Sequence, residues 1–372
     1  MHSTFSLRSS FVAISFLCSS LLWAQKKDSL KYTNAETLSL IGKIAETKNI
    51  YHRIDTVLYP GLPPNVKRLL TNSAGLAIAF KTNSPVIAAK WCVTKSKAAN
   101  NLTPIANKGL DLYIKRNGQW QFAGVGRPTG DCTEGVMVEN MDESEKECLV
   151  YLPLYDELTK LEIGVAPNAS LQSMPSPFTK RILIYGSSIV QGASASRPGL
   201  AYPAMLSRAT GLNFMNMGVS GSAKMEKAAA DLVAATPADA YILDCVPNSS
   251  PEEIKERTAY LVEQIRKQHP AAPIIVMQSV IREHGYFNSK VGERVRQQNI
   301  QIKKEFEALQ KKGVKYLYFI SAENFLGDDH EGSTDGIHPN DIGFYRMVQV
   351  IQPVIADIFK KHGILAINAV LK

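Results

Sequence analysis

A change of pattern at residues 167–180 limits what this chain can fold into. From about Asn49 to Ala166 the sequence runs in short strand-like stretches between turn residues, and after Lys180 apolar runs alternate with helical stretches. The stretch between, PNASLQSMPSPFTK, has three prolines, three serines and no periodicity, and reads as a linker. In the first half, Leu76–Phe80, Val86–Val93, Leu110–Lys115, Gln119–Ala123, Glu147–Leu152 and Leu161–Val165 all have strand length. Asn117-Gly118 sits between DLYIK and QWQFA, the strongest short hairpin signal, because both central residues of that turn need positive φ. An all-β sandwich is expected over residues 25–166. In the second half Arg181–Tyr185, Ala240–Cys245, Pro273–Gln278 and Val314–Phe319 are apolar strands of a kind buried on both faces, so an α/β domain with a parallel sheet is expected over 181–372. One helix start is explicit in Ser250-Pro251-Glu252-Glu253, with a Ser cap, Pro at the first helical position and Glu three residues after the cap.

The first 24 residues differ from the rest. Arg8 precedes an apolar, Ser-rich stretch from Phe11 to Trp23, and Ala24-Gln25 stands before Lys26-Lys27 as a cleavage site. This is the pattern of a secretory signal peptide. The stretch is shorter than the roughly 20 apolar residues that span a bilayer, and Leu17 before Cys18 does not suit lipid attachment. A secreted or periplasmic protein, cleaved near Ala24 and without stable membrane insertion, is expected. Of its cysteines, Cys92, Cys132, Cys148 and Cys245 would then remain where disulfides are permitted. Four cysteines allow three pairings, and spacing does not choose. Cys245 follows an apolar run and reads as a buried free thiol, leaving at least one of the other three unpaired. The formal charge of +8 is spread with no run of five basic residues, so no nucleic-acid partner is expected.

Four segments of the second half carry chemistry. Tyr185 to Gly192 (YGSSIVQG) follows the first parallel strand, and ligands of open α/β sheets bind at the carboxyl ends of strands. Neither a phosphate-binding loop nor a GxSxG elbow is present. Near the end, Asp335-Gly336-Ile337-His338-Pro339 puts an acid three residues from an imidazole, close enough to hold its tautomer. Asn216 to Gly221 (NMGVSG) and Asp244 to Asn248 (DCVPN) place a Gly backbone N–H and an Asn amide at strand ends, the parts of an oxyanion hole. Asp328, Asp329, His330 and Glu331 form another acid and imidazole cluster, but within one short loop and without a second ligand set. No zinc-type Cys/His spacing occurs.

Taken in this order, the four segments resemble the blocks of the SGNH, or GDSL-type, hydrolases, over roughly Lys180 to His362. Gly109-Leu110-Asp111-Leu112-Tyr113 also matches the GxDLY signature of a β-rich domain that precedes one SGNH subfamily. Ser187 stands where the Asp of GDSL usually stands. The resemblance implies a jelly-roll-like sandwich followed by a three-layer α/β/α hydrolase domain. It implies Ser188 as nucleophile, His338 as general base and acid, and Asp335 as its orienting partner. Ser188, Gly221 and Asn248 would supply the oxyanion donors. No metal or organic cofactor is required.

The implied substrate is an acylated small molecule or polysaccharide, with short-chain and above all acetyl esters of carbohydrates favoured by the two-domain arrangement. A lipid or platelet-activating-factor-type acylhydrolase and a catalytically silent carbohydrate-binding protein are the alternatives. Trp91 and Trp120 are open to sugar stacking or to the core. Asp111 and Tyr113 read as structural contacts between domains. Arg197 and Tyr202 are open to the pocket rim or to a solvated helix face.

Overall fold

A computed structural model describes residues 29–367, apart from 96 and 98. The expected leader, residues 1–24, lies outside the described residues.

The first half forms ten strands, β1 (Lys31–Asn34), β2 (Ser39–Ile41), β3 (Ala77–Thr82), β4 (Ile87–Val93), β5 (Leu110–Arg116), β6 (Gln119–Gly126), β7 (Cys132–Val138), β8 (Lys146–Tyr151), β9 (Leu158–Val165) and β10 (Leu171–Ser173), with short helices α1 (Pro64–Leu70) and α2 (Pro104–Lys108). They pair antiparallel in two sheets. One has the order β1-β9-β4-β7, and the other β10-β3-β8-β5-β6 with β2 also on β3. Ile78, Phe80, Ile87, Trp91, Leu112, Val150 and Ile163 are fully buried between them, as alternation predicts for a sandwich. Asn117 and Gly118 turn the β5–β6 hairpin with φ of 52° and 72°. Cys92 and Cys132 face each other across β4 and β7 and form a disulfide, whereas Cys148 and Cys245 are buried and free.

The stretch read as a linker is partly structured. β10 pairs with β3, and β11 (Thr179–Gly186) already begins at its end, so the two halves join through the sheet edge.

The second half is a five-stranded parallel sheet of order β12-β11-β13-β14-β15, with β12 (Leu212–Gly218), β13 (Ala240–Asp244), β14 (Ile274–Met277) and β15 (Leu317–Ile320). Its helices are α3 (Ser188–Gln191), α4 (Tyr202–Thr210), α5 (Lys227–Ala235), α6 (Pro251–Gln268), α7 (Ser289–Lys311) and α8 (Asp341–Lys361). Alternate residues of β11 point to opposite layers. Leu183 and Tyr185 join the residues of α5, α6 and α7, while Ile182 and Ile184 join those of α4 and α8. The α6 start carries the expected capping box, with both reciprocal hydrogen bonds between Ser250 and Glu253. α8 is long and apolar enough to cross a membrane. Its residues Phe344, Met347, Val348, Ile351, Ile355 and Phe359 nevertheless form one stripe buried in this core, while Ile342, Tyr345 and Val354 on other faces are exposed.

Two buried charges are among the contacts that join the domains. Asp111 is fully buried, and its carboxylate accepts hydrogen bonds from Arg197 Nη1 at 2.9 Å and from Gly199 N at 2.8 Å. Tyr113 Oη lies 2.6 Å from the same guanidinium nitrogen, and a Cβ on Gly199 would lie 2.5 Å from the Tyr113 ring. The GxDLY signature is thus an interdomain clamp, and Arg197 belongs to it. Arg53, also fully buried, donates to the carbonyls of Asn72, Asn216 and Gly218 at 2.8–3.0 Å. Burial pushes its guanidinium down to about 9.

Truncating one partner of a buried ion pair leaves the other charge uncompensated. Asp111→Ala is expected to cost about 3 kcal/mol, read as a lower urea midpoint, with Asp111→Asn losing less because it still accepts from Gly199. An unchanged midpoint in Asp111→Ala would remove the clamp from the account.

Candidate active site

The strand order reverses at β11, whose neighbours β12 and β13 lead away in opposite directions, so a crevice opens at its carboxyl end. There the chain passes through Gly186 and Ser187 into α3. Ser187 caps this single turn, its Oγ accepting from Ile189 N at 3.2 Å, and its own N–H donates to Asp244 O at 3.2 Å. Ser188, the first residue of α3, is 6% exposed.

The loop between β15 and α8 supplies the partners. Ser188 Oγ lies 2.9 Å from His338 Nε2, and His338 Nδ1 lies 2.8 Å from Asp335 Oδ2. With Nδ1–H donated to the carboxylate, Nε2 is left to accept the Ser188 hydroxyl. Asp335 Oδ1 accepts from the N–H groups of Ile337 and His338 at 3.0 and 2.8 Å. Burial pushes the Asp335 carboxyl up, but hydrogen bonds from the His338 backbone and ring and from Ile337 outweigh it, and the net shift is downward. Gly336 takes the required turn at φ 78°, against the backbone of His284.

The other expected residues stand on the strands flanking β11. β12 ends at Gly218, so Asn216 to Gly218 are its last residues and the rest of the segment, Val219 to Gly221, follows it. Gly221 follows at φ 67° with open space around it. Asn248 ends a short turn after β13, and its Oδ1 accepts from Ala223 N at 3.2 Å, which seats it on the Gly221 loop and leaves its amide nitrogen to donate elsewhere. Gln191 Oε1 accepts from Ser220 N at 3.0 Å and fixes the same loop. Among the described residues, no protein acceptor takes the N–H of Ser188 or Gly221 or the Asn248 amide nitrogen. Three donors thus stand at neighbouring strand ends around a serine hydrogen-bonded to an imidazole, an arrangement suited to acyl transfer through a tetrahedral intermediate.

The first domain reaches this site in ways the motifs do not show. Asn101 Nδ2 lies 3.0 Å from Asp335 Oδ2 and 3.1 Å from His338 Nδ1. Tyr155 Oη lies 3.4 Å from Ser188 O. Both come from β-domain loops without motif character, and only folding reveals their place.

Other candidates fall elsewhere. Trp91 is 1% exposed, donating to Lys108 O inside the sandwich, and Trp120 packs half-buried against the cluster of Tyr113 and Tyr151. Asp329 is paired with Arg346, and His330 with Glu283. Among the described residues no three His, Cys, Asp or Glu side chains gather to hold a metal. Tyr202 is buried and donates to Asp244 at 2.9 Å.

Comparisons with known proteins agree with this architecture. Residues 179–356 match the GDSL-like lipase/acylhydrolase family, and residues 30–171 match the N-terminus of SGNH-hydrolase-type esterases, named for GxDLY. The crystal structure of a candidate GDSL-like lipase from Bacteroides ovatus is 56% identical, with 89% of this chain and 98% of that one covered at a TM-score of 0.88. A salicylyl-acyltransferase from a tetracycline biosynthetic pathway shares the fold at 19% identity and TM-score 0.70, covering 88% of this chain and 97% of that one. A family two carbohydrate esterase from Cellvibrio japonicus shares it at 12% identity and TM-score 0.58, covering 89% and 98%. A search of curated proteins found no match. Fold and comparisons together define an ester hydrolase of two domains. The chain belongs to the GDSL-like lipase/acylhydrolase family, with the GxDLY domain at its N-terminal side.

Among the described residues the carboxyl of Asp244, directly behind the Ser188 turn, has one hydrogen-bond donor, Tyr202, and burial pushes it up to about 7. The unfolded carboxyl ionises near 4. Between about 4 and 7 the folded form therefore keeps a proton that the unfolded form has lost, and stability falls as pH rises. Asp244→Asn should flatten this dependence, so its melting temperature should change less than that of the wild type between pH 5 and pH 8. An equal change in both proteins would refute the assignment.

Proposed function

We propose that this chain is an exported serine esterase that removes short acyl groups, acetyl above all, from carbohydrates. The observation that carries the reading is the continuous hydrogen-bonded line from Ser188 Oγ through His338 to Asp335, at 2.9 and 2.8 Å.

In this mechanism Ser188 Oγ attacks the ester carbonyl carbon while His338 Nε2 takes its proton, and Asp335 holds the resulting imidazolium in place. The oxyanion is held by the N–H groups of Ser188 and Gly221 and by the Asn248 amide. His338 then gives the proton to the departing alcohol, leaving the acyl group on Ser188. Water, deprotonated by His338, attacks this acyl-enzyme, and collapse of the second tetrahedral intermediate returns Ser188 and a carboxylic acid. The chemistry is complete without a metal or organic cofactor.

Support for a carbohydrate alcohol comes from the neighbours. The family two carbohydrate esterase and an acetyl xylan esterase from Butyrivibrio proteoclasticus, 12% identical at TM-score 0.56, share the fold over 89% and 90% of this chain. The leader-like first 24 residues support export, and the Cys92–Cys132 pair fits an oxidising compartment.

One observation favours the lipid reading as the second choice. A cavity of about 490 Å³ lies between α7 and the loop after β14, lined by Ile281, Tyr286, Val295 and Ile300 among others. Phe287 beside it is 97% exposed. That loop adjoins the site, since Arg282 donates to Pro247 O and His284 N to Gly336 O. A silent binding protein is disfavoured, because binding alone gives no reason to hold a serine on an imidazole.

The reading is tested with p-nitrophenyl acetate against p-nitrophenyl octanoate. Acetate is expected to turn over faster, with Ser188→Ala inactive, and preference for octanoate would put the lipid reading first. Asn248→Ala should lower kcat by about 10²–10³ with the acetate ester, the cost of one oxyanion donor. A kcat equal to the wild type would take Asn248 out of the oxyanion hole.

A further inference from the structure

We propose that Asn101, carried by the first domain, is a positioning residue of the hydrolytic site, its amide holding the Asp335 carboxylate in the orientation that aims His338 at Ser188. The inference rests on the Ser188 reading above.

The geometry assigns the direction of the hydrogen bond. His338 Nδ1 carries the hydrogen given to Asp335 and cannot accept from the Asn101 amide, so the 3.1 Å approach of the two nitrogens is a packing contact. The donor goes to Asp335 Oδ2 at 3.0 Å. The carboxylate then accepts four hydrogen bonds, two on each oxygen. Those from Ile337 N, His338 N and His338 Nδ1 come from its own turn. The fourth comes from 234 residues earlier, across the domain boundary. A carboxylate fixed only by its own turn moves with that turn, and the amide ties it to a second body.

Asn101 is itself held firmly. Two residues on, Thr103 Oγ1 donates to Ser196 O at 2.6 Å and caps α2 by accepting from Ala106 N at 3.0 Å. Leu102 packs against the core of the second domain. The same domain also touches the other two parts of the site, with Tyr155 at the carbonyl of Ser188 and Arg53 at the carbonyl of Gly218. Besides His338, Asp335 is faced by Arg282 from the loop after β14, and Arg282 in turn by Arg294 from α7.

The test uses the full chain, with Asn101→Ala, Asn101→Asp and Ser188→Ala assayed on p-nitrophenyl acetate from pH 4 to pH 9. Removing the positive end of the amide dipole beside the ring favours the charged imidazolium. In Asn101→Ala the expected result is kcat about tenfold lower, KM within about twofold, and an acid limb moved to higher pH. In Asn101→Asp, where a negative charge replaces the amide, the limb should move further in the same direction. Melting temperatures are measured alongside. Wild-type kcat and acid limb in both variants overturn the proposal. So does a kcat loss that follows a lowered melting temperature with the acid limb unmoved, because that pattern belongs to a purely structural residue. If Ser188→Ala keeps its activity, the catalytic reading itself falls. If Ser188→Ala is inactive while both Asn101 variants behave as wild type, only the inference about Asn101 falls.

Discussion

The turn that carries Ser188 leaves β11 through a gap too narrow for a side chain. A Cβ on Gly186 would lie 2.3 Å from Val190 Cγ2 and 2.4 Å from Asp244 O, and one on Gly218 would lie 2.2 Å from Gln191 N. α3 is therefore pressed onto the ends of β12 and β13, and Asn216 fastens it by donating to Val190 O at 2.6 Å. This close approach sets Ser188 beside the Gly221 loop and the Asn248 turn. Preorganised donors stabilise a developing oxyanion without moving when the charge forms, and such rigidity requires packing of this kind. Gln191 completes the lock, joining the Gly221 loop to Asn72 and Leu154 of the first domain.

The first domain works less as an appendage than as a wall of the site. Among the described residues Arg53 donates only to backbone and amide oxygens, and two of those carbonyls belong to the end of β12. Asp111 meets Arg197 on the segment that follows α3. Burying a charge is costly unless it is hydrogen-bonded, so such groups act as registry pins that accept one docking geometry. In this protein the pins fall on the chain segments next to Ser188 and the Gly221 loop.

Much of this was legible in the sequence, for reasons that differ from residue to residue. The parallel strands stood out because both faces are buried, making RILIY and PIIVMQ nearly continuous apolar runs. β12, with Asn213 and Asn216 among its apolar residues, broke that pattern because Asn216 serves Gly218 and Val190 and not a layer. In the sandwich, β7 (CTEGVMV) carries no clear strand pattern, because its exposed face bears Cys132 and Glu134 and a glycine interrupts it. β10 was hidden among prolines, since three residues on a sheet edge need no periodicity. Ser188, Asp335 and His338 were readable from short motifs, and the fold brings them together. Asn101 was not, because its role lies in a contact with a residue 234 positions away and no local pattern marks it.

The central claim is that Ser188 is an activated nucleophile, and covalent capture tests it most directly. The full chain is treated with a fluorophosphonate, which phosphonylates serine only where the hydroxyl is activated and an oxyanion site accepts its P–O group. Intact mass should rise by one adduct per chain, and peptide mapping should place it on Ser188, with labelling abolished in Ser188→Ala and much slower in His338→Ala. An adduct on another residue, or labelling of Ser188→Ala at the wild-type rate, would contradict the account.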